Sequence, residues 1–384
     1  MDWHNNFLQE LTTDITIDSH LDRRLELLLI DYLVSLKAGK SLGGINHLGA
    51  SLAMSSSATD SDDFDWTFMT HPGSVIWSAI FHQLFMNPES IHDIKLAAYY
   101  GYRVNASTSG AFGVLHRQNW HATAISGAFA AAAASNVMIK AAPDQFFSSL
   151  LHVAANMGGI ALADRRTGAA IFNRGAATTL GILASEAALA NIPCATSIWE
   201  GKQGLIELFS LEKTPSSQRI FDGISTTGIR LHPCNGFMQS AYQLIQDARS
   251  TLNGELISIH VGLAANLIPF LDGTVGGSYW DAQYVAAQAW DADRIAENLG
   301  VTKIIPIDLK IGASTVEIKT TGGEYKRSLE NPPGIELFTD YEMQLQNQKF
   351  DNLVGKKLHE QARSLAHKIL NNSADLPEIK SFIL

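Results

Sequence analysis

From residue 19 to residue 39 the chain reads SHLDRRLELLLIDYLVSLKAG, with Leu21, Leu25, Leu28, Leu29, Tyr32 and Leu36 on one face of a 3.6-residue period. The pattern predicts a helix with Ser19 able to cap it and Gly39 able to end it. The small-residue stretch GGINHLGASLAMSSSA (43–58) reads as a tightly packed helix and turn. After His71-Pro72-Gly73, read as a turn, SVIWSAIFHQLF (74–85) returns to a helical pattern. Three Ala-rich segments follow, at 121–140, 146–164 and 175–191. Alanine has the best helix propensity and the smallest side chain that keeps it, so these helices are expected to pack at short axial distances mid-bundle. No strand pairing is evident before about residue 210, and this half is read as all helix.

The period changes near residue 224. ISTTGIRLHP (224–233) is strand-like, FMQSAYQLIQDARS (237–250) is helical, and ELISIHV (255–261) is a strand. KIIPIDLKI (303–311) alternates Ile305, Ile307, Leu309 and Ile311, and STVEIKTTGGEYKR (314–327) reads as strand, Gly-Gly turn, strand. Residues 278–300 between them read as helix. This order fits a small α+β domain whose sheet is covered by helices on one face. Past Pro332-Pro333-Gly334 the chain becomes helical again, with Thr339 and Glu342 in a capping-box pattern and a last helix around 353–371. No internal repeat or low-complexity linker interrupts it.

Composition narrows the function classes. With 384 residues, 46% hydrophobic and 17% charged, the chain can bury a large core and divide into two or three domains. A formal net charge of −10 argues against a nucleic-acid partner, which selects a basic face. Two cysteines, Cys194 and Cys234, make a disulfide framework improbable, and no C-x-x-C or H-E-x-x-H supports a zinc site. The start, MDWHNNFLQELTTD, lacks the basic and apolar regions of a secretory signal. The most apolar window, 122–139, is Ala and Ser rather than large aliphatics, so it reads as a buried helix and not a membrane span. A cytoplasmic protein without a membrane partner is expected.

The candidate chemistry begins at TDSDDFDWTFMTHPGSV (59–75), which crowds Asp60, Asp62, Asp63 and Asp65 ahead of His71. On its own the run reads as a solvated loop with one aspartate capping a helix. It breaks the D-x-D-x-D-G calcium pattern at Phe64, and it lacks the DDxxD spacing of diphosphate-binding cyclases. Carboxylates beside His71 would favour its protonated form, as a general acid requires. His121 stands at the start of an apolar helix, whose N-terminus disfavours an imidazolium.

Several segments in this order resemble the MmgE/PrpD family, which includes 2-methylcitrate dehydratase, cis-aconitate decarboxylase and iminodisuccinate epimerase. Asp60-Ser61-Asp62-Asp63 and His71-Pro72-Gly73 match its "lDfDD … HPG", and Gly101-Tyr102-Arg103-Val104 its "GYEv". Asn119-Trp120-His121-Ala122-Thr123 through Ala134 match "GFHxT … AAAAA", and Glu200 through Gly204 match "EGxxG". Arg230-Leu231-His232-Pro233 fall on "K-x-x-P", and Trp280 through Ala286, including Tyr284, on "FSxqYxvA". The likeness covers roughly residues 20–355. It implies a mainly α fold, with a large all-helical domain from both chain ends (1–224 and 336–384) and a smaller inserted α+β lid (225–335). It also implies a homodimer, and a site between the domains without metal or cofactor that acts on small di- or tricarboxylates. In that site His71, His121, Asp60 and Asp63 would be catalytic, and Asp62, Arg230, Arg174 and Tyr284 would bind substrate.

The departures concern cations. One family lysine falls on Ala170, with Asn173 where a histidine follows it and Arg174 next door; the other is Arg230. A guanidinium keeps charge but does not deprotonate near neutral pH. The expectation is a lyase that removes a proton alpha to a carboxylate or carbonyl and eliminates water. The alternatives are an epimerase or decarboxylase using the same proton chemistry, and a family member that binds without catalysis. The roles of the two histidines stay open at this level.

Overall fold

A computed structural model describes residues 10, 11, 13, 17–39, 45–113, 120–160, 169–198, 202–208, 220–273 and 277–384. Residues 1–9, 12 and 14 of the N-terminal reading, 43–44, Asn119 of the "GFHxT" match, 161–164 and Glu200-Gly201 of the "EGxxG" match lie outside these. The chain forms two compact units, one from residues up to Gly228 together with Phe350–Leu384, the other from Ile229–Lys349. The described structure is mainly α, with one four-stranded sheet and one pair of very short strands.

In the first unit the helices are α1 (Ser19–Ala38), α2 (Leu48–Ser57), α3 (Pro72–Met86), α4 (Ile94–Phe112), α5 (Ala122–Met138), α6 (Pro143–Asn156) and α7 (Ala169–Leu189). Helix α5 is the hub, packed by α3, α4, α6 and α7 and buried along almost its whole length. Its alanines permit this. At Gly181 of α7 an added Cβ would sit 2.4 Å from the Ala131 Cβ and 2.6 Å from the Ala128 carbonyl oxygen, so the two backbones nearly touch. Near the C-terminus Lys356–Leu370 packs on α1, which brings both ends of the chain into this unit.

Several element ends differ from the sequence reading, each for a local reason. Helix α1 begins at Ser19, but Asp18 is its cap, its Oδ1 accepting from the Leu21 N–H at 2.8 Å. His-Pro-Gly is not a turn before a helix: His71 is the N-cap of α3 and Pro72 its first residue, where a missing N–H costs nothing. The all-helix half does contain strand. Phe64–Asp65 (β1) pairs antiparallel with Thr227–Gly228 (β2), the only strand within the predicted segment 224–233. Arg24 of α1 holds β2 in place, donating to the carbonyls of Ile224, Ser225 and Thr227 at 3.1, 3.3 and 2.8 Å. The helix predicted around 353–371 is Lys356–Leu370, separated from Asp340–Val354 by Gly355 with φ +80, and a further helix that was not predicted, Leu376–Ile383, follows it.

In the second unit β3 (Leu256–Ala264) lies between β4 (Thr302–Ile307), parallel to it, and β5 (Ser314–Thr320), antiparallel; β6 (Gly323–Leu329) pairs outside β5. Helices α8 (Gln239–Thr251) and α9 (Ala282–Trp290) pack against the sheet. The core joins Ile259, Val261, Val316 and Ile318 to Leu244, Ile245, Val285 and Ala286. The helix read over 278–300 stops at Trp290, because Asp291 turns the chain and caps the next short helical piece. The alternation read from Ile305 is out of phase at its start: Ile304 packs against the core and Ile305 is exposed on edge strand β4, beside Pro306.

Candidate active site

The acidic run connects α2 to α3. Asp60 sits at its start with φ +48, a left-handed conformation that aspartate tolerates better than most side chains. Asp62 and Asp63 are buried. The Asp62 Oδ2 accepts a hydrogen bond from Arg174 Nη1 at 3.0 Å and lies 3.5 Å from His71 Nδ1. Arg174, from α7, is itself only 3% exposed, so this is a buried ion pair, and its Nε is a buried donor with no hydrogen-bond partner among the described residues.

Asp63 holds the start of α3. Its carboxylate accepts from the Gly73 N–H at 3.0 and 3.1 Å and from the Tyr102 hydroxyl at 3.0 Å. The N-terminal N–H groups of a helix lack intrahelical acceptors, and Asp63 supplies one from ten residues upstream. Glycine is required at 73 for space: a Cβ there would lie 2.6 Å from Asp63 Oδ2. Burial, then the nearby Asp62 and Asp31 carboxylates, hold the Asp63 carboxyl well above the usual range, against the pull of Tyr102 and Gly73. Burial and Asp63 likewise push the Tyr102 phenol up.

His71 is fixed at three points. Its N–H donates to Thr123 Oγ1 at 3.0 Å, its Nδ1 lies 2.8 Å from the Asp63 carbonyl oxygen, and its ring packs against Phe64. A carbonyl can only accept, so His71 Nδ1 carries the hydrogen, and in the neutral ring the lone pair is on Nε2. His121 is bound the other way. It is the N-cap of α5, and its Nδ1 accepts from the Ala124 N–H at 3.2 Å. Its own N–H donates to the Gly159 carbonyl at 3.0 Å. Thr123, two residues on in α5, therefore ties the backbone of His71 to the helix that His121 begins.

Asp65 does not face water, contrary to the solvated-loop reading of the acidic run. It is fully buried, its Oδ1 accepts from the Thr67 and Phe68 N–H groups at 2.9 Å, and its Oδ2 accepts from Thr226 Oγ1 at 2.6 Å. It folds the 65–70 turn that delivers His71. One ligand atom each from Asp60, Asp62 and His71 lie within 4.8 Å of one another, a spacing that cation ligands also use. Here Asp62 already faces a guanidinium, and His71 Nδ1 is turned onto a carbonyl.

In the second unit Arg230 is buried and its Nη1 donates to the Tyr279 hydroxyl at 3.4 Å. The loop after it is clamped by Gln239, whose Oε1 accepts from the Leu231 and His232 N–H groups and whose Nε2 donates to the His232 and Cys234 carbonyls. Tyr284 lies in the first turn of α9, its N–H bonded to the capping Asp281. Of the residues picked from sequence, Asp60, Asp62, Asp63, His71 and Arg174 form one network, His121 adjoins it through Thr123, and Arg230 and Tyr284 belong to the other unit. The sequence reading missed Thr123, Asp65, Tyr102 and Gln239. Thr123 and Tyr102 were inside the matched motifs, which was the available signal.

Residues 48–218 match the MmgE/PrpD N-terminal domain family. No curated protein matches the sequence significantly. The matched stretch contains the whole network from Asp60 to Arg174.

Proposed function

The chain belongs to the MmgE/PrpD family through residues 48–218, and on that premise we propose that it is a lyase for a small carboxylated substrate. It removes the proton alpha to a carboxylate or carbonyl and eliminates water. The observation that carries this reading is the His71 arrangement: Nδ1–H on the Asp63 carbonyl leaves the Nε2 lone pair as the base. Asp62, 3.5 Å from Nδ1, offsets the charge the ring gains on accepting a proton. Arg174 pairs with Asp62 within a buried setting, and Asp63 with Gly73 fixes the N-cap geometry. Asp63 and Arg174 thereby support the base. Arg230, in the other unit, stands where the family has a lysine and keeps its fixed positive charge. A homodimer in the cytoplasm is part of the same reading.

The replacement of both family lysines, by Ala170 and Arg230, favours one second reading: a family member that binds a carboxylate without turning it over. A panel of hydroxylated di- and tricarboxylates, incubated with the protein in D2O and followed by proton NMR, separates the two. The lyase reading expects loss of the alpha C–H signal with alkene formation, reduced at least about a hundredfold in His71→Ala. Binding with no exchange in any ligand selects the second reading.

A further inference from the structure

Helix α7 is apolar on both of its faces. The inner face has its partners: Gly181 abuts the backbone of α5, and Arg174 reaches Asp62. On the outer face Phe172 is 63% exposed and Leu183 58%, Ala176 is exposed, and Thr179, Leu180 and Ala187 are half-buried. Phe172, Ala176, Thr179, Leu183 and Ala187 recur at i, i+4, i+7, i+11 and i+15, which is one stripe of a helix. The charged residues of α7 are Arg174, turned inward, and Glu186. A surface helix normally carries charge on its outer side, and one that is apolar all round is a buried helix. Two large apolar side chains aligned on an otherwise small-residue stripe mark a contact surface.

The order of sizes along the stripe identifies the partner. A two-fold axis crossing α7 between Thr179 and Leu180 sets an antiparallel copy of the helix so that Leu183 meets Ala176 and Phe172 meets Ala187. Each bulky side chain then falls opposite a small one, as interdigitating helix surfaces require. A parallel copy would instead set Phe172 on Phe172, Leu183 on Leu183 and Glu186 on Glu186. In the antiparallel arrangement the two Glu186 carboxylates stand about 20 Å apart along the helix at 1.5 Å a residue, beyond the screening length at physiological salt. We propose that the outer face of α7 is where two copies of this chain meet, antiparallel about that axis. This rests on the homodimer of the reading above and names its surface. Phe172 and Leu183 offer about 200 Å² of apolar area, against about 800 Å² for each side of a stable dimer, so α7 supplies the apolar centre of a larger contact. Phe172 and Asn173 directly precede Arg174, so the copy packs outside the turn whose inner side makes the Asp62 pair.

Sedimentation velocity of the full chain at micromolar concentration, with the register read by disulfide trapping, tests the proposal. The parent is expected to sediment at twice the mass of one chain. Leu183→Glu puts a carboxylate against Ala176 of the copy and is expected to weaken self-association at least about thirtyfold, with the helix content of the parent retained in circular dichroism. The double variant Ala176→Cys, Leu183→Cys is expected to give a covalent dimer on oxidation, and each single variant is not. Within one chain the two positions lie about 10 Å apart, too far for a disulfide, and each position is as far from its own copy. A parent that is monomeric removes the homodimer itself. A dimer that Leu183→Glu leaves equally tight, or that cross-links no better in the double variant than in the singles, refutes this face while the homodimer stands. Neither result touches the D2O experiment, which tests the lyase reading.

Discussion

Replacing Arg174 with methionine isolates what the guanidinium does in the unliganded protein. The Arg174–Asp62 pair spans 3.0 Å with both side chains 3% exposed or less, so neither charge has bulk water to fall back on. Breaking a buried pair by removing one partner costs about 3–5 kcal/mol, because the other charge is left uncompensated. Here His71 Nδ1 remains 3.5 Å from Asp62, and the buried Arg174 Nε, which has no partner among the described residues, disappears with the substitution. Both effects place the cost at the low end, about 3 kcal/mol, or roughly 6 °C in melting temperature for a domain of this size. The assay is thermal unfolding of Arg174→Met, Asp62→Asn and the double variant. The double variant is expected to recover about 2 kcal/mol relative to the sum of the singles, since it leaves no unpaired charge. A melting point for Arg174→Met within about 1 °C of the parent, against the full cost expected for a buried pair, would refute the reasoning and make Arg174 a group that awaits substrate.

Three further outcomes are expected. Gly73→Ala pushes a methyl into Asp63 Oδ2, and should lower stability by about 1–3 kcal/mol and disturb the His71 ring signals, whereas unchanged signals would mean the carboxylate can step aside. Asp65→Ala removes the two hydrogen bonds that close the buried 65–70 turn and those from the Thr226 and Thr227 hydroxyls, and should cost about 2–3 kcal/mol in urea unfolding; a cost below about 0.5 kcal/mol would contradict its structural role. His82 stacks on His47 and accepts from the Gly49 N–H, and burial together with His47 lowers its value to about 4 from 6.5. The unfolded chain therefore binds this proton first, so stability is complete above about pH 6.5 and falls as the pH drops towards 4. Allowing for partial exposure the loss is about 1–2 kcal/mol, and His82→Asn should flatten the profile between those limits if the reasoning holds.

Periodicity made most of this fold legible. The leucine stripe of α1 corresponds to a buried face, and the alanine run of α5 to a helix buried along almost its whole length. What stayed hidden depends on partners far along the chain. Arg174 gains its meaning from Asp62, 112 positions away, and Asp65 from Thr226, 161 positions away. A two-residue strand such as β1 has no periodicity to detect. The ends of α1 and α3 were misread because neighbouring residues compete for the cap: Asp18 displaced Ser19, and His71 took the position ahead of Pro72. The acidic wall and both histidines were legible as candidates, but their hydrogen-bond directions were not, since a tautomer is set by the backbone group that a ring meets.

Deuterium wash-in compared between the parent and His71→Gln tests the central claim most directly. The account predicts that the parent exchanges the alpha proton of at least one small hydroxycarboxylate with solvent, and that the variant, still folded and still binding that ligand, exchanges it at least about a hundredfold more slowly. Equal exchange rates in the two proteins would contradict the account, because His71 would then not be the base.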